Sequence, residues 1–329
     1  MHTFTPDDIF TIQNADQFTD LALKLFNHQA ENNPVYKKYL FHLGTNISDV
    51  DALNKIPFLP IEFFKTHKLI TGQEEPVKTF FSSGTGGMTR SSHFVTDLDL
   101  YERSFFTAFE NQYGKSENYC VLALLPGYLE NESSSLVYMV DGLIKKSEHS
   151  KSGFYLNNIN DLIQTLELCK KQNEKVILFG VSYALIDLAD KIPFTIPETI
   201  ILETGGMKGK RKELTKKELH LYLSQKFGVK TIHSEYGMTE LLSQAYSIGN
   251  GKFYCPPWMK ILVRDTYDPF SFLEKGKSGG INIIDLANIN SCSFIETQDL
   301  GKINTDNSFE VLGRFDYSDI RGCNLLVAE

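Results

Sequence analysis

The chain has 329 residues, 42% of them hydrophobic and 22% charged, which is enough apolar material for a core and too much for a disordered polymer. Lys and Arg total 33 against 41 Asp and Glu, a net charge of −8, the wrong sign for a protein that lives on the phosphate backbone of nucleic acid. No window reaches the roughly 18 consecutive apolar residues of a membrane span. The opening MHTFTPDD carries no apolar leader, and five scattered cysteines without a CxxC pair point to neither a disulfide framework nor a cysteine-held zinc, so a cytoplasmic protein with reduced thiols is expected.

In chain order, Phe18, Leu21, Ala22 and Leu25 recur at helical spacing and predict an amphipathic helix from about Ala15 to Glu31. Pro57 and Pro60 forbid a regular helix across Ile56 to Gly72. A second helix is expected from Asp97 to Tyr113 with Thr96 as its cap and Leu98, Tyr101, Phe105 and Phe109 on its inner stripe. From Tyr119 on, short apolar runs alternate with helical patterns: strand YCVLALL, helices SSLVYMVDGLIKK and NDLIQTLELCKK, strand KVILF, helix SYALIDLADK, strand TIILE, helix TKKELHLYLSQKF and strand VKTIH. That rhythm predicts an α/β fold, a mostly parallel sheet with helices on both faces. Beyond Gly249 the segments MKILVRD, GINIIDL, CSFIET and FEVLG predict a small C-terminal β subdomain. The expected organisation is one domain, an α/β region with N-terminal helices over 1–248 and a β-rich part over 249–329.

Three segments carry chemistry. In FFSSGTGGMTR, Ser82, Ser83, Gly84, Thr85, Gly86 and Gly87 form a loop able to turn backbone N–H groups and hydroxyls toward phosphate oxygens, although it lacks the Gly-Lys-Ser/Thr ending of a Walker loop. In SEYGMTE, expected just past a strand end where a parallel sheet meets its ligand, Tyr236 offers a ring for a base, Thr239 a hydroxyl for phosphate and Glu240 a carboxylate for Mg²⁺. Near the C-terminus, Asp299 is suited to accept from two ribose hydroxyls and Arg314 to brace the sugar or a phosphate. Each segment alone also reads as an ordinary loop, cap or turn.

A rival pattern lies at GVSYA, where Ser182 sits between a strand and a helix as in the nucleophile elbow of serine hydrolases. Only His220 and His233 follow it. His93, after the loop, is a candidate to position a substrate carboxylate, whereas His149 and His220 are expected to be exposed. Phe63, Phe64, Phe80 and Phe81 read as core.

Taken in order, the Ser/Thr/Gly loop, the Thr204-Gly205-Gly206 turn, the Tyr-Gly-x-Thr-Glu box at Tyr236 to Glu240, Asp299 and the Gly-Arg-x-Asp of Gly313 to Asp316 resemble the motifs of the adenylate-forming superfamily. The short chain, the LPIEFFK segment and the ending DIRGCNLL are most similar to its acyl-protein synthetase (LuxE-like) branch, over roughly residues 55 to 325. The resemblance implies the large-domain fold of that superfamily without its C-terminal lid, and ATP with Mg²⁺ activating a fatty or aryl acid to an acyl-adenylate. It implies that Ser82, Ser83, Gly84, Thr85 and Gly87 hold the phosphates and that Gly205, Gly206 and Tyr236 frame adenine. Thr239 would meet the α-phosphate, Glu240 the metal, and Asp299 with Arg314 the ribose. The acyl group would pass to a thiol, either Cys323 near the C-terminus, a partner protein such as an acyl-protein reductase, or coenzyme A. The alternatives to this reading are a catalytically impaired nucleotide-binding partner subunit and the Ser182 hydrolase.

Overall fold

Polar side chains set the starts of several helices. In this computed structural model, which describes residues 5–83, 89–126, 131–205 and 214–315, helix α1 (Pro6–Phe10) precedes α2 (Ala15–Asn32), whose first turn is capped by Asn14. Asn33 caps α3 (Pro34–Leu43) through Val35 and Tyr36 N–H. The proline-punctuated stretch then forms the two-residue strand β1 (Leu59–Pro60), the single turn α4 (Phe63–Thr66) and a hairpin of β2 (Lys78–Phe81) with β3 (Ser92–Val95). In β2, Phe80 faces inward and Phe81 outward, because side chains alternate along a strand. Phe64 and Phe80 are core as expected, whereas Phe63 is half-buried and Phe81 exposed.

Helix α5 (Leu98–Tyr113) is capped by Asp97, whose carboxylate accepts from Leu100 N–H, and not by Thr96. The alternation that follows is β4 (Cys120–Leu124), α6 (Ser135–Ser147), β5 (Gly153–Phe154), α7 (Ile159–Lys171), β6 (Val176–Val181), α8 (Ser182–Lys191), β7 (Ile200–Thr204), α9 (Lys216–Phe227), β8 (His233–Tyr236) and β9 (Ala245–Ser247). These strands make a six-stranded sheet in the order β5-β4-β6-β7-β8-β9, parallel apart from the last pair. Every residue of β4 and β6 is buried; since side chains alternate, both faces of the sheet are covered. The expected strand VKTIH begins only at His233, where pairing with Leu202 of β7 starts, so Ser234, Glu235 and Tyr236 lie within β8 and not beyond it.

A second sheet contains β10 (Met259–Arg264), β11 (Ser278–Asp285), β12 (Phe294–Ile303) and β13 (Phe309–Arg314), antiparallel among themselves, with β1 added in parallel against β12. The N-terminal part is thus built into the C-terminal sheet. Gln29 of α2 donates to the carbonyls of Asn288 and Ile289 at 3.0 Å each and accepts from Ser293 N–H at 2.9 Å. Phe26, Tyr36, Phe58 and Phe294 pack ring to ring at the same junction.

Candidate active site

The edge of the C-terminal sheet meets the end of β8. A register shift between Leu300 and Gly301 leaves Asp299 opposite Arg314 across β12 and β13, and the close strand approach explains the glycine, since a Cβ on Gly301 would stand 2.5 Å from the Glu310 carbonyl. Arg314 Nε lies 3.5 Å from Asp299 Oδ1, and the Tyr236 hydroxyl donates to Asp299 Oδ2 at 2.8 Å. The Tyr236 ring is packed edge-on against Phe253 and Phe309. Burial raises the Asp299 carboxyl, opposed by Tyr236 and by the Arg314 charge. Three residues separated by up to 78 positions of sequence therefore form one contact group.

Glu240 lies in the turn after β8. It is only 5% exposed. Burial raises its carboxyl, a hydrogen bond from the Ser91 side chain opposes that rise, and the fields of Arg314 and Lys65 reach it weakly. A single buried carboxyl of this kind suits Mg²⁺, which commonly takes one or two carboxylates and fills its other positions from substrate phosphates and water. No group of three metal-ligating side chains occurs among the described residues.

His93 is 1% exposed, with Nδ1 2.7 Å from the Thr239 carbonyl oxygen and its ring edge-on to Phe64. A carbonyl only accepts, so Nδ1 carries the proton; burial lowers the imidazole to about 4. Through Nδ1, His93 is committed to the backbone beneath Thr239. Ser82 closes the neck of the β2–β3 hairpin, its hydroxyl oxygen accepting from Ser91 N–H at 2.9 Å, and Ser83 is exposed. Gly84, Thr85 and Gly87, together with Gly206 and Cys323, lie outside the described residues. Gly205, which directly follows β7, takes the left-handed conformation at φ 69°.

Ser182 opens α8, and its single hydroxyl proton is shared between the Gly205 carbonyl at 2.8 Å and Glu203 Oε1 at 3.1 Å. The Ser-His-acid arrangement of the nucleophile elbow places an imidazole on the serine itself; here the Glu203 carboxylate stands between Ser182 and His220, whose Nε2 is 3.4 Å from Glu203 Oε2. His220 is thus part-buried in an ion-paired cluster with Ser234 and Lys216, not exposed, and His149 is likewise part-buried beside Glu174. The geometry that the rival hydrolase reading requires is absent at Ser182.

Three buried acids were not singled out from the sequence: Glu203, Glu235 and Asp285. For Glu203 and Asp285 the signal was an acid inside an otherwise apolar strand run; Glu235, in the polar strand HSEY, carried none. Asp285 accepts from Leu242 N–H, Ser243 N–H and the Ser243 hydroxyl at 2.9, 3.0 and 2.5 Å, tying down the chain just past Glu240. Glu235 points to the sheet face opposite Tyr236, accepts from the Thr204 hydroxyl at 2.5 Å, and is pushed by burial to about 7. The neighbouring Glu203 charge adds to this and Lys216 opposes it; Tyr101 and Tyr113 of α5 and Tyr246 of β9 also sense the Glu235 charge.

Below its ordinary value of 4.5 the Glu235 carboxyl is protonated folded and unfolded alike. Between 4.5 and about 7 only the folded chain holds the proton, so stability falls as pH rises. Glu235→Gln, which keeps the volume and the Thr204 bond, is expected to gain thermal stability over the wild type on going from pH 5 to pH 8, by at most on the order of 3 kcal/mol. Melting curves at the two pH values check this; an advantage that does not grow with pH contradicts it.

Comparison with known proteins agrees with this architecture. The family profile described as acyl-protein synthetase, LuxE, matches residues 8–329. A long-chain-fatty-acid–luciferin-component ligase of Vibrio harveyi is 22% identical over 345 aligned positions, covering 97% of this chain and 90% of the relative. Among solved structures, 2-hydroxyisobutyryl-CoA ligase in its postadenylation state with 2-HIB-AMP superposes with a TM-score of 0.69 at 13% identity, over 92% of this chain and 68% of that one. ATP-bound MatB from Rhodopseudomonas palustris matches with a TM-score of 0.55 at 15% identity over 72% of this chain. The chain spans about half the length of MatB, 47%. The fold is that of adenylate-forming enzymes.

Proposed function

The chain belongs to the acyl-protein synthetase (LuxE) family, and from that premise we propose that it activates a long-chain fatty acid with ATP and passes the acyl group to a protein thiol. In the first half-reaction a carboxylate oxygen attacks the α-phosphorus and pyrophosphate leaves with the electrons of the broken P–O bond. In the second, a thiolate attacks the acyl carbon and AMP leaves. Ser82, Ser83, Gly84, Thr85 and Gly87 hold the phosphates in this reading, Gly205, Gly206 and Tyr236 border the adenine, and Thr239 donates to the α-phosphate. Asp299 and Arg314 take the ribose. Mg²⁺ held at Glu240 would supply charge neutralisation at the phosphates.

The observation that carries the reading is the meeting of Tyr236, Asp299 and Arg314 at 2.8 and 3.5 Å, with Glu240 within the field of the same guanidinium. The Tyr236 hydroxyl occupies one side of the Asp299 carboxylate and so fixes the plane in which its remaining lone pairs accept from ribose. ATP dependence and free thiols at Cys120, Cys169, Cys255 and Cys292 suit the cytoplasm. Among the described residues no helix is long and apolar enough to cross a membrane.

The reading is tested by ATP–pyrophosphate exchange over fatty and aryl acids. Exchange that depends on a long-chain fatty acid is the expected result; exchange with aryl acids alone overturns the substrate class, and none with any acid overturns the activity. Asp299→Asn is expected to raise the KM for ATP about tenfold and to change kcat less, because a ribose contact is made equally in ground and transition states. A fall confined to kcat contradicts a ribose role.

A further inference from the structure

The turn that carries Thr239 and Glu240 is held by side chains from elsewhere more than by its own backbone. Within it, Leu241 N–H reaches the Met238 carbonyl at 3.1 Å. The other anchors are remote: His93 donates to the Thr239 carbonyl at 2.7 Å, Asn288 donates to the Glu240 carbonyl at 2.8 Å, and Asp285 accepts from Leu242 and Ser243 N–H. Asn288 is itself in the segment gripped by Gln29 of α2.

Of these anchors His93 differs in where it comes from. It is on β3, six residues past Gly87, the last residue of the glycine-rich loop. Ser91 and His93 are both buried while Ser92 between them is half-buried, the alternation of a strand that turns one face inward. Through that face Ser91 meets the Glu240 carboxyl and His93 meets the backbone of Thr239. The start of β3 and the residue before it therefore touch both residues of the Thr-Glu pair, and this same end of the strand leads back to the segment expected to hold phosphate.

We propose that His93 is a positioning residue which, as the Nδ1–H tautomer, sets the Thr239 carbonyl and thereby registers the Thr239–Glu240 turn against the hairpin that bears the glycine-rich loop. The catalytic part of this inference rests on the acid-activation reading above; the contact itself does not. Which ring nitrogen holds the proton is dictated by the carbonyl it faces. Loss of the donor leaves the Thr239 carbonyl unpaired in a buried place, and the turn is free to settle elsewhere. Displacing Thr239 and Glu240 relative to the phosphates harms the chemical step more than ground-state binding, which many other contacts share.

Two variants of the full chain and one spectrum test this. His93→Leu removes the donor; His93→Asn puts an amide N–H close to where Nδ1–H stood. In fatty-acid-dependent ATP–pyrophosphate exchange, His93→Leu is expected to lower kcat by roughly tenfold to a hundredfold with the KM for ATP within about threefold of wild type, and His93→Asn to recover most of the kcat. Histidine ¹⁵N spectra of the wild type, with the His93 signal identified by its loss in His93→Asn, are expected to show a protonated Nδ1 that does not titrate between pH 5.5 and 8. A Leu variant with wild-type kcat, equal losses in both variants, or a His93 signal with bare Nδ1 overturns the proposal. The spectrum needs no turnover, so it decides the contact even where the Leu variant fails to fold. A wild type inactive with every acid, by contrast, overturns the acid-activation reading.

Discussion

Glu240→Gln is expected to lower acid-dependent pyrophosphate exchange by roughly a hundredfold to a thousandfold, the range for a group that meets charge as it builds in the transition state. Gln preserves shape and loses only the charge. That choice follows from the burial of Glu240, 5% exposed: Ala would open a void in a packed turn and confuse a folding defect with a chemical one. Since burial raises the carboxyl, the variant sheds a buried negative charge and should melt no lower than wild type at neutral pH. The Ser91 hydroxyl and the Asn288 amide keep their partners, the side-chain oxygen and the backbone carbonyl. Undiminished exchange in Glu240→Gln removes this residue from the site, and a lost melting transition means that its role is in folding.

Cys323→Ser is expected to abolish the acyl-protein adduct while leaving acyl-adenylate formation intact. The remaining thiols are poor candidates for the acceptor. Cys120, Cys169 and Cys292 are buried and Cys255 is half-buried, and burial raises every one of them, Cys255 and Cys292 to about 12. The thiolate is the nucleophile, and a thiol pushed that far up supplies almost none at neutral pH. Cys323 follows Arg321 and Gly322 in the sequence, a cationic neighbour that favours the thiolate. Incubation with ATP, Mg²⁺ and a labelled fatty acid, followed by intact mass before and after neutral hydroxylamine, reads the result. An adduct that persists in Cys323→Ser places the acyl group on another residue; a wild type that accumulates acyl-AMP without an adduct makes the acceptor external to this chain.

The local elements were legible because their signals are local. Helix α8 spans the same ten residues, Ser182–Lys191, that the apolar spacing marks, and α9 starts where Thr215 and Glu218 form a reciprocal cap. The limit of α5 was less legible, because Thr96 and Asp97 are both competent caps and only the backbone geometry selects Asp97. For β8 the apolar residues of VKTIH misled: Val229 and Ile232 are buried, yet the ladder with β7 begins at His233. Burial and strand pairing are different constraints, and hydrophobicity reports only the first.

By itself the sequence determined the α/β alternation, the β-rich C-terminal part, the order of the motifs and hence the family, since each depends on residue spacing along a short stretch of chain. Tertiary structure decided which of those residues meet. Tyr236, Asp299 and Arg314 converge because β12 pairs with β13 through a shifted register and its Asp299 meets Tyr236 at the end of β8, a matter of closure between segments far apart in the chain. The same closure set β1 against β12 and put Glu240 and His93 inside. It also interposed Glu203 between Ser182 and His220. A polar side chain carries no local mark of whether other segments will cover it, and its charge, tautomer and partners are settled only when they do.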